Sequence, residues 1–97
     1  MNYFIKGGEA RLFLTGKDFE SADLAADLSG IAKEAAGRRV TVFASDAEEL
    51  KISALTALTG FAFDMKSSEG LLRLSCPPAW KQDLISLGFN SVFEFTD

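Results

Sequence analysis

The sequence predicts an α/β domain with a mostly parallel sheet, one antiparallel edge strand and packed helices. Three observations predict it. Hydrophobic periodicity switches between short strand-like runs and helix-like stripes in the order β-β-α-β-α-β-α-β. The first two runs are separated only by Gly7-Gly8, which reads as a hairpin because glycine accepts the positive φ of a tight turn. Three strand–helix–strand units then follow in succession, and such units imply parallel strands joined by right-handed crossovers. At 97 residues the chain is the size of one domain, with no room for a second core.

The elements follow in order. Tyr3–Lys6 and Ala10–Thr15 are the two arms of the hairpin. The first helix opens near Ser21, a candidate N-cap, with Asp23 in the first turn where a carboxylate meets the positive helix end. Leu24, Leu28, Ile31 and Ala35 step along one face of it, Gly30 weakens it, and Gly37 is a plausible stop. Val40–Ala44 is a β-branched, apolar run, read as a buried strand. A second helix runs from about Ile52 to Met65, with Ile52, Leu55, Leu58 or Thr59, and Ala62 sharing a face. Ser67-Ser68-Glu69-Gly70 is a turn and Leu71–Ser75 a strand. Cys76-Pro77-Pro78 ends that strand, and Pro78 suits the first turn of a third helix. Trp80, Leu84 and Leu87 lie on one face of this helix, which ends at Gly88. Ser91–Phe95 is the last strand.

Composition removes several chemistries. Histidine is absent, so there is no His-based triad, base or metal ligand. One cysteine, Cys76, makes neither an internal disulfide nor a Cys-based zinc site. Ten basic residues against fourteen acidic ones leave a net charge of −4, which argues against general nucleic-acid binding, where a basic face supplies most of the affinity. No phosphate-binding glycine motif occurs. The start of the chain does not read as a signal peptide. No apolar stretch approaches the ~18 residues of a membrane span, and a lone thiol fits a reducing cytoplasm. The expectation is a cytoplasmic, non-catalytic domain without a cofactor or metal.

Parallel α/β sheets place their working loops at the carboxyl ends of the strands. Three segments meet there: Gly16–Phe19, Ser45–Lys51 and Cys76–Trp80.

The pattern resembles the STAS domain, the fold of bacterial anti-sigma factor antagonists and of the cytoplasmic tails of sulfate transporters. Leu14-Thr15-Gly16-Lys17-Asp18 is similar to that family's Gly-x-Leu-Asp loop after the second strand. Leu50 to Leu58 sits where the family has Ile-Asp-Ser-Ser-Gly-Leu and a helix. Leu84 to Phe93, with Gly88-Phe89 inside it, resembles the closing Leu-x-x-x-Gly-Leu-x-x-x-Phe. The resemblance covers essentially residues 1–97 as one STAS-like sandwich. It implies a regulatory domain that binds a protein partner such as an anti-sigma factor kinase. In antagonists an Asp-Ser pair opens the second helix and the partner kinase phosphorylates the serine. Aligned through Leu55, this chain has Lys51 at the Asp position, Ile52 at the Ser position, Ala54 for the glycine, and Phe43 for the Asp expected near the end of the preceding strand. The phosphorylation switch therefore does not carry over.

The residues expected to contact a partner are Asp18, Phe19, Asp46, Glu48, Glu49, Lys51, Ile52 and Ser53. An exposed Ile52 would be an apolar anchor beside a positive charge; the plainer reading is drift in a domain that lost its switch. Phe19, in a loop at the working edge, would be a second anchor if exposed. Asp46, Glu48 and Glu49 read as a solvated acidic loop able to steer a basic partner; as a Ca²⁺ site their spacing matches no known loop. Ser53 and Thr56 are candidate phosphoacceptors whose ordinary role is helix-start hydroxyl. Cys76 reads as a buried, inert thiol. Trp80, Phe89, Phe93 and Phe95 read as core. Two other functions stay open: a STAS subunit seated on the ATPase of a phospholipid-trafficking ABC complex, and a small-ligand or nucleotide binder.

Overall fold

Thr15 starts the first helix where the sequence suggested a loop. Its Oγ1 accepts the Asp18 N–H at 3.4 Å, and the Asp18 carboxylate accepts the Thr15 N–H at 2.8 Å. This reciprocal cap satisfies two otherwise unpaired donors and holds helix α1, Gly16–Glu20. The computed structural model describes residues 1–44 and 51–96 of the chain. Among them are strands β1 (Asn2–Lys6), β2 (Glu9–Phe13), β3 (Arg39–Phe43), β4 (Leu71–Ser75) and β5 (Glu94–Phe95). The remaining helices are α2 (Leu24–Glu34), α3 (Ile52–Ser67) and α4 (Pro78–Ser86), followed by a single 3₁₀ turn at Phe89–Ser91.

The sheet order is β1-β2-β3-β4-β5, with β1 antiparallel to β2 and every later pair parallel. The fold is thus the predicted α/β class: a mostly parallel sheet with one antiparallel edge and helices packed on it. The hairpin turn is Gly7-Gly8, with Gly7 at φ +61°. Each later strand is added beside the last in the same direction. Right-handed crossovers taken repeatedly in one direction all fall on the same side of a sheet, so the helices share one face. The burial pattern records this: Ala10 and Leu12, Val40 and Val42, Leu72 and Leu74 are buried, and the residues alternating with them are not.

The core lies between this face and the helices. Leu28 and Ile31 of α2, Leu58, Phe61 and Met65 of α3, and Trp80 and Leu84 of α4 close over the strands with Phe93. The predicted α2 face is confirmed, since Leu24, Leu28, Ile31 and Ala35 are all buried. Its start is corrected: Asp23 is the N-cap and Ser21 instead terminates α1. Gly37 follows α2 at φ +77° and Gly88 follows α4 at φ +86°, the left-handed positions that glycine supplies after helices.

Three further expectations are corrected. The core stripe of α3 runs through Ala54, Leu58, Phe61 and Met65, so Ile52 faces solvent and Leu55 is half-buried. Leu87 is the C-cap of α4 and is exposed, because the helix ends before its face returns to the sheet. The last strand is two residues long. The backbone N–H groups of Val92 and Phe93 both donate to the Phe89 carbonyl, at 2.9 and 3.0 Å, and are spent in the turn.

Among the described residues no helix is long and apolar enough to cross a membrane.

Candidate functional site

The parallel strands deliver α1, the start of α3 and the start of α4 to the carboxyl edge of the sheet, as the topology requires. The structure separates the expected contact residues into three groups. Asp46, Glu48 and Glu49 lie outside the described residues.

Asp18 and Phe19 serve the fold. The Asp18 carboxylate caps α1 and also accepts the Met1 amine at 3.1 Å. Partial burial works against its charge, but the Thr15 N–H, the Met1 amine and the Thr15 hydroxyl outweigh that effect and hold the carboxyl below its ordinary value. Phe19 corrects the expectation of an exposed anchor: it is 5% exposed and meets Trp80 edge to face, ring centroids 5.3 Å apart. Its helix, unforeseen from the sequence, turns the ring inward, and the T-shaped pair is a favoured aromatic geometry.

Lys51, Ile52 and Ser53 form the exposed start of α3. Lys51 is the N-cap and its side chain makes no capping bond; instead Nζ reaches Glu20 Oε1 at 3.4 Å. That pair is exposed and worth at most about 1 kcal/mol. Ile52 is 84% exposed. Beside it Leu55, Asp83, Ser86 and Leu87 complete a shallow depression of about 320 Å³, and Leu87 is 66% exposed. Two large aliphatic side chains so open on neighbouring elements make an apolar spot rimmed by Lys51 and Asp83. Leu87 was missed from the sequence because helical spacing placed it with Trp80 and Leu84.

On the other side of the α3 start, Ser53 and Thr56 line a groove of about 550 Å³ between α1, α2 and α3, with Glu20, Ser29 and Asp64 also on its walls. The Thr56 hydroxyl donates to the Ile52 carbonyl at 2.9 Å, the ordinary back-bond of a helical threonine. Ser53 is exposed.

Cys76, at the end of β4, is half-buried rather than buried. Burial pushes its thiol up, against a smaller opposing pull from Lys81, which keeps it a poor nucleophile. Among the described residues no cluster of three or more metal-ligating side chains forms.

The opposite face of the sheet is uncovered by any described helix. Its residues form cross-strand rows. Phe4, Arg11, Thr41, Arg73 and Glu94 make the middle row, Asn2, Phe13, Phe43 and Ser75 one flank, and Lys6, Glu9, Arg39 and Leu71 the other. No protein-family model matches the chain, and no curated protein matches it in sequence.

Proposed function

We propose that this chain is a non-catalytic, STAS-like protein-interaction domain of the cytoplasm that binds a signalling partner, such as an anti-sigma factor kinase, through the start of α3. The observation that carries the reading is Ile52, 84% exposed at the first position of α3 and adjoining the exposed Leu87. Apolar side chains held open on rigid helix ends are what an interface anchor requires. Lys51 beside Ile52, in place of an Asp-Ser pair, supports a contact that is not switched by phosphorylation at that position.

The test uses wild-type and Ile52→Asp chains as bait in an extract of the native host, with quantitative mass spectrometry. A specific partner that is lost from Ile52→Asp, while the melting temperature is retained, supports the reading. An unchanged set of partners refutes it. The partner's own class decides between a signalling kinase and the ATPase of a phospholipid-trafficking ABC complex. Intact-mass measurement after incubation with that kinase and ATP tests the missing switch, since a phosphate on Ser53 or Thr56 would overturn it.

The groove lined by Ser53, Thr56 and Asp64 favours a second reading, a small-ligand or nucleotide site. A thermal-shift screen with nucleotides addresses it, because a ligand that binds only the folded state raises the melting temperature.

A further inference from the structure

We infer that the uncovered face of the sheet is a second docking surface, and that its occupant is an acidic, apolar segment of a partner protein. Sheets built from parallel strands are ordinarily covered on both faces. Here the face away from the helices carries Phe4, 51% exposed, and Phe13, 38% exposed, with the half-buried Phe43 beside them. The three rings form one ladder: Phe4 and Phe13 have centroids 6.0 Å apart, Phe13 and Phe43 4.8 Å apart with an 11° angle between planes.

The charge of the face selects the occupant. Lys6, Arg11, Arg39 and Arg73 outnumber Glu9 and Glu94 on a chain that is acidic as a whole. Both carboxylates are already engaged, Glu9 with Arg39 at 3.9 Å and Glu94 with Arg73 at 3.2 Å. Lys6 and Arg11, which flank Phe4 in the register, have no carboxylate partner among the described residues. A segment presenting carboxylates beside aliphatic side chains complements this pattern. The ring geometry disfavours nucleobases. At 4.8 Å two parallel rings cannot lie side by side on the sheet; they overlap and turn their edges outward, so the flat platform that bases stack on is absent. A second copy is disfavoured because an isologous contact sets the same patch against itself, cation against cation.

The probe is a phage library of random 12-residue peptides selected against the intact chain. The recovered peptides should be rich in Asp or Glu together with Leu, Ile, Val or Phe. Synthetic versions should lose about tenfold or more in affinity to Arg11→Glu, a reversed charge at the centre of the contact. They should bind Arg11→Lys and Ile52→Asp within about twofold of wild type, less than a third of the free energy of that tenfold step. Arg11→Glu is an exposed substitution and should melt with the wild type, whereas Phe13→Ser gives up the stacking on Phe4 and Phe43 and should melt lower while remaining folded; if Arg11→Glu does not melt with the wild type, Arg11→Gln and ring proton shifts of Phe4 and Phe13 on peptide addition give the same reading. The inference is overturned if the recovered peptides carry no acidic excess or bind Arg11→Glu as well as wild type. It is overturned equally if the free chain sediments as a dimer that Phe13→Ser splits, or if oligo(dT) or phosphatidylserine vesicles bind in an Arg11-dependent way.

Discussion

Replacing Ile52 by aspartate separates a surface anchor from a core residue. Full burial of an isoleucine side chain contributes about 1.5–3 kcal/mol. Ile52 is 84% exposed, so about a sixth of that, roughly 0.3–0.5 kcal/mol, is at stake. Aspartate at the first position of α3 gains about 0.3–1 kcal/mol from the positive helix end, where the first turn now has no acidic residue. The two effects nearly cancel, and the expected change in stability is within about 0.5 kcal/mol of zero. For a domain of this size that is a shift of only about 2–4 °C in melting temperature. Leu58→Asp, at a fully buried position six residues along the same helix, should instead cost several kcal/mol or abolish folding, because the carboxylate has no polar partner there. Thermal and urea unfolding followed by circular dichroism measure both. A fall of more than about 8 °C for Ile52→Asp would show the side chain to be buried, and the anchor reading would fail with it.

Other predictions concern the fold around the site. Thr15→Ala removes half of the α1 cap and should cost about 1 kcal/mol, read as a lower urea midpoint. Asp18 is held below its ordinary value in the folded chain, so its stabilisation is present above the unfolded carboxylate value of about 3.9 and is lost as pH falls through the lower folded value. Asp18→Asn should flatten the acid limb of the stability profile, and an unchanged limb would contradict the assigned hydrogen bonds. Gly70→Ala places a Cβ 2.7 Å from both the Arg38 carbonyl oxygen and Met65 Cε. A backbone oxygen cannot move aside like a side-chain tip, so a loss of about 1–3 kcal/mol is expected. Cys76, with its thiol pushed up by burial, should react with iodoacetamide at neutral pH more slowly than free cysteine, and more slowly still in Lys81→Ala.

How far the sequence could be read depended on how one-sided each element is. The face of α2 was legible because Leu24, Leu28, Ile31 and Ala35 stand out against polar neighbours. In α3 apolar residues surround the axis, so spacing offers two stripes. The one with Leu58, Phe61 and Met65 wins because larger side chains bury more area. Helix α1 was signalled by Thr15-x-x-Asp18, a capping box, but Gly16 and the short span read more naturally as a loop. Missing that helix is what misplaced Phe19, whose burial against Trp80 is a tertiary contact that local spacing does not encode. The parallel and antiparallel senses of the strands followed from element order alone. The uncovered sheet face did not, because it depends on the strands being added in one direction. Phe43 then read as part of the buried run Val40–Ala44, and Phe13 only as part of a hairpin arm.

The two proposed surfaces can be occupied together, and that has a consequence for what the domain does. The α3 start is on the helix layer at the carboxyl edge, whereas Phe4, Arg11 and Phe13 are on the opposite face of the sheet. The residues named for one contact are all different from those named for the other, so a partner seated on one side shares none of them with a partner on the other. A domain with two such faces brings its partners together and needs no chemistry of its own to do so. Native mass spectrometry of the chain with its α3 partner and a sheet-face peptide should therefore show a 1:1:1 complex. The peptide affinity should be the same with and without the first partner, since no described element carries residues of both contacts. Mutual exclusion would mean that one partner spans the carboxyl edge and touches both faces, and the domain would then be a single-site module with one extended interface.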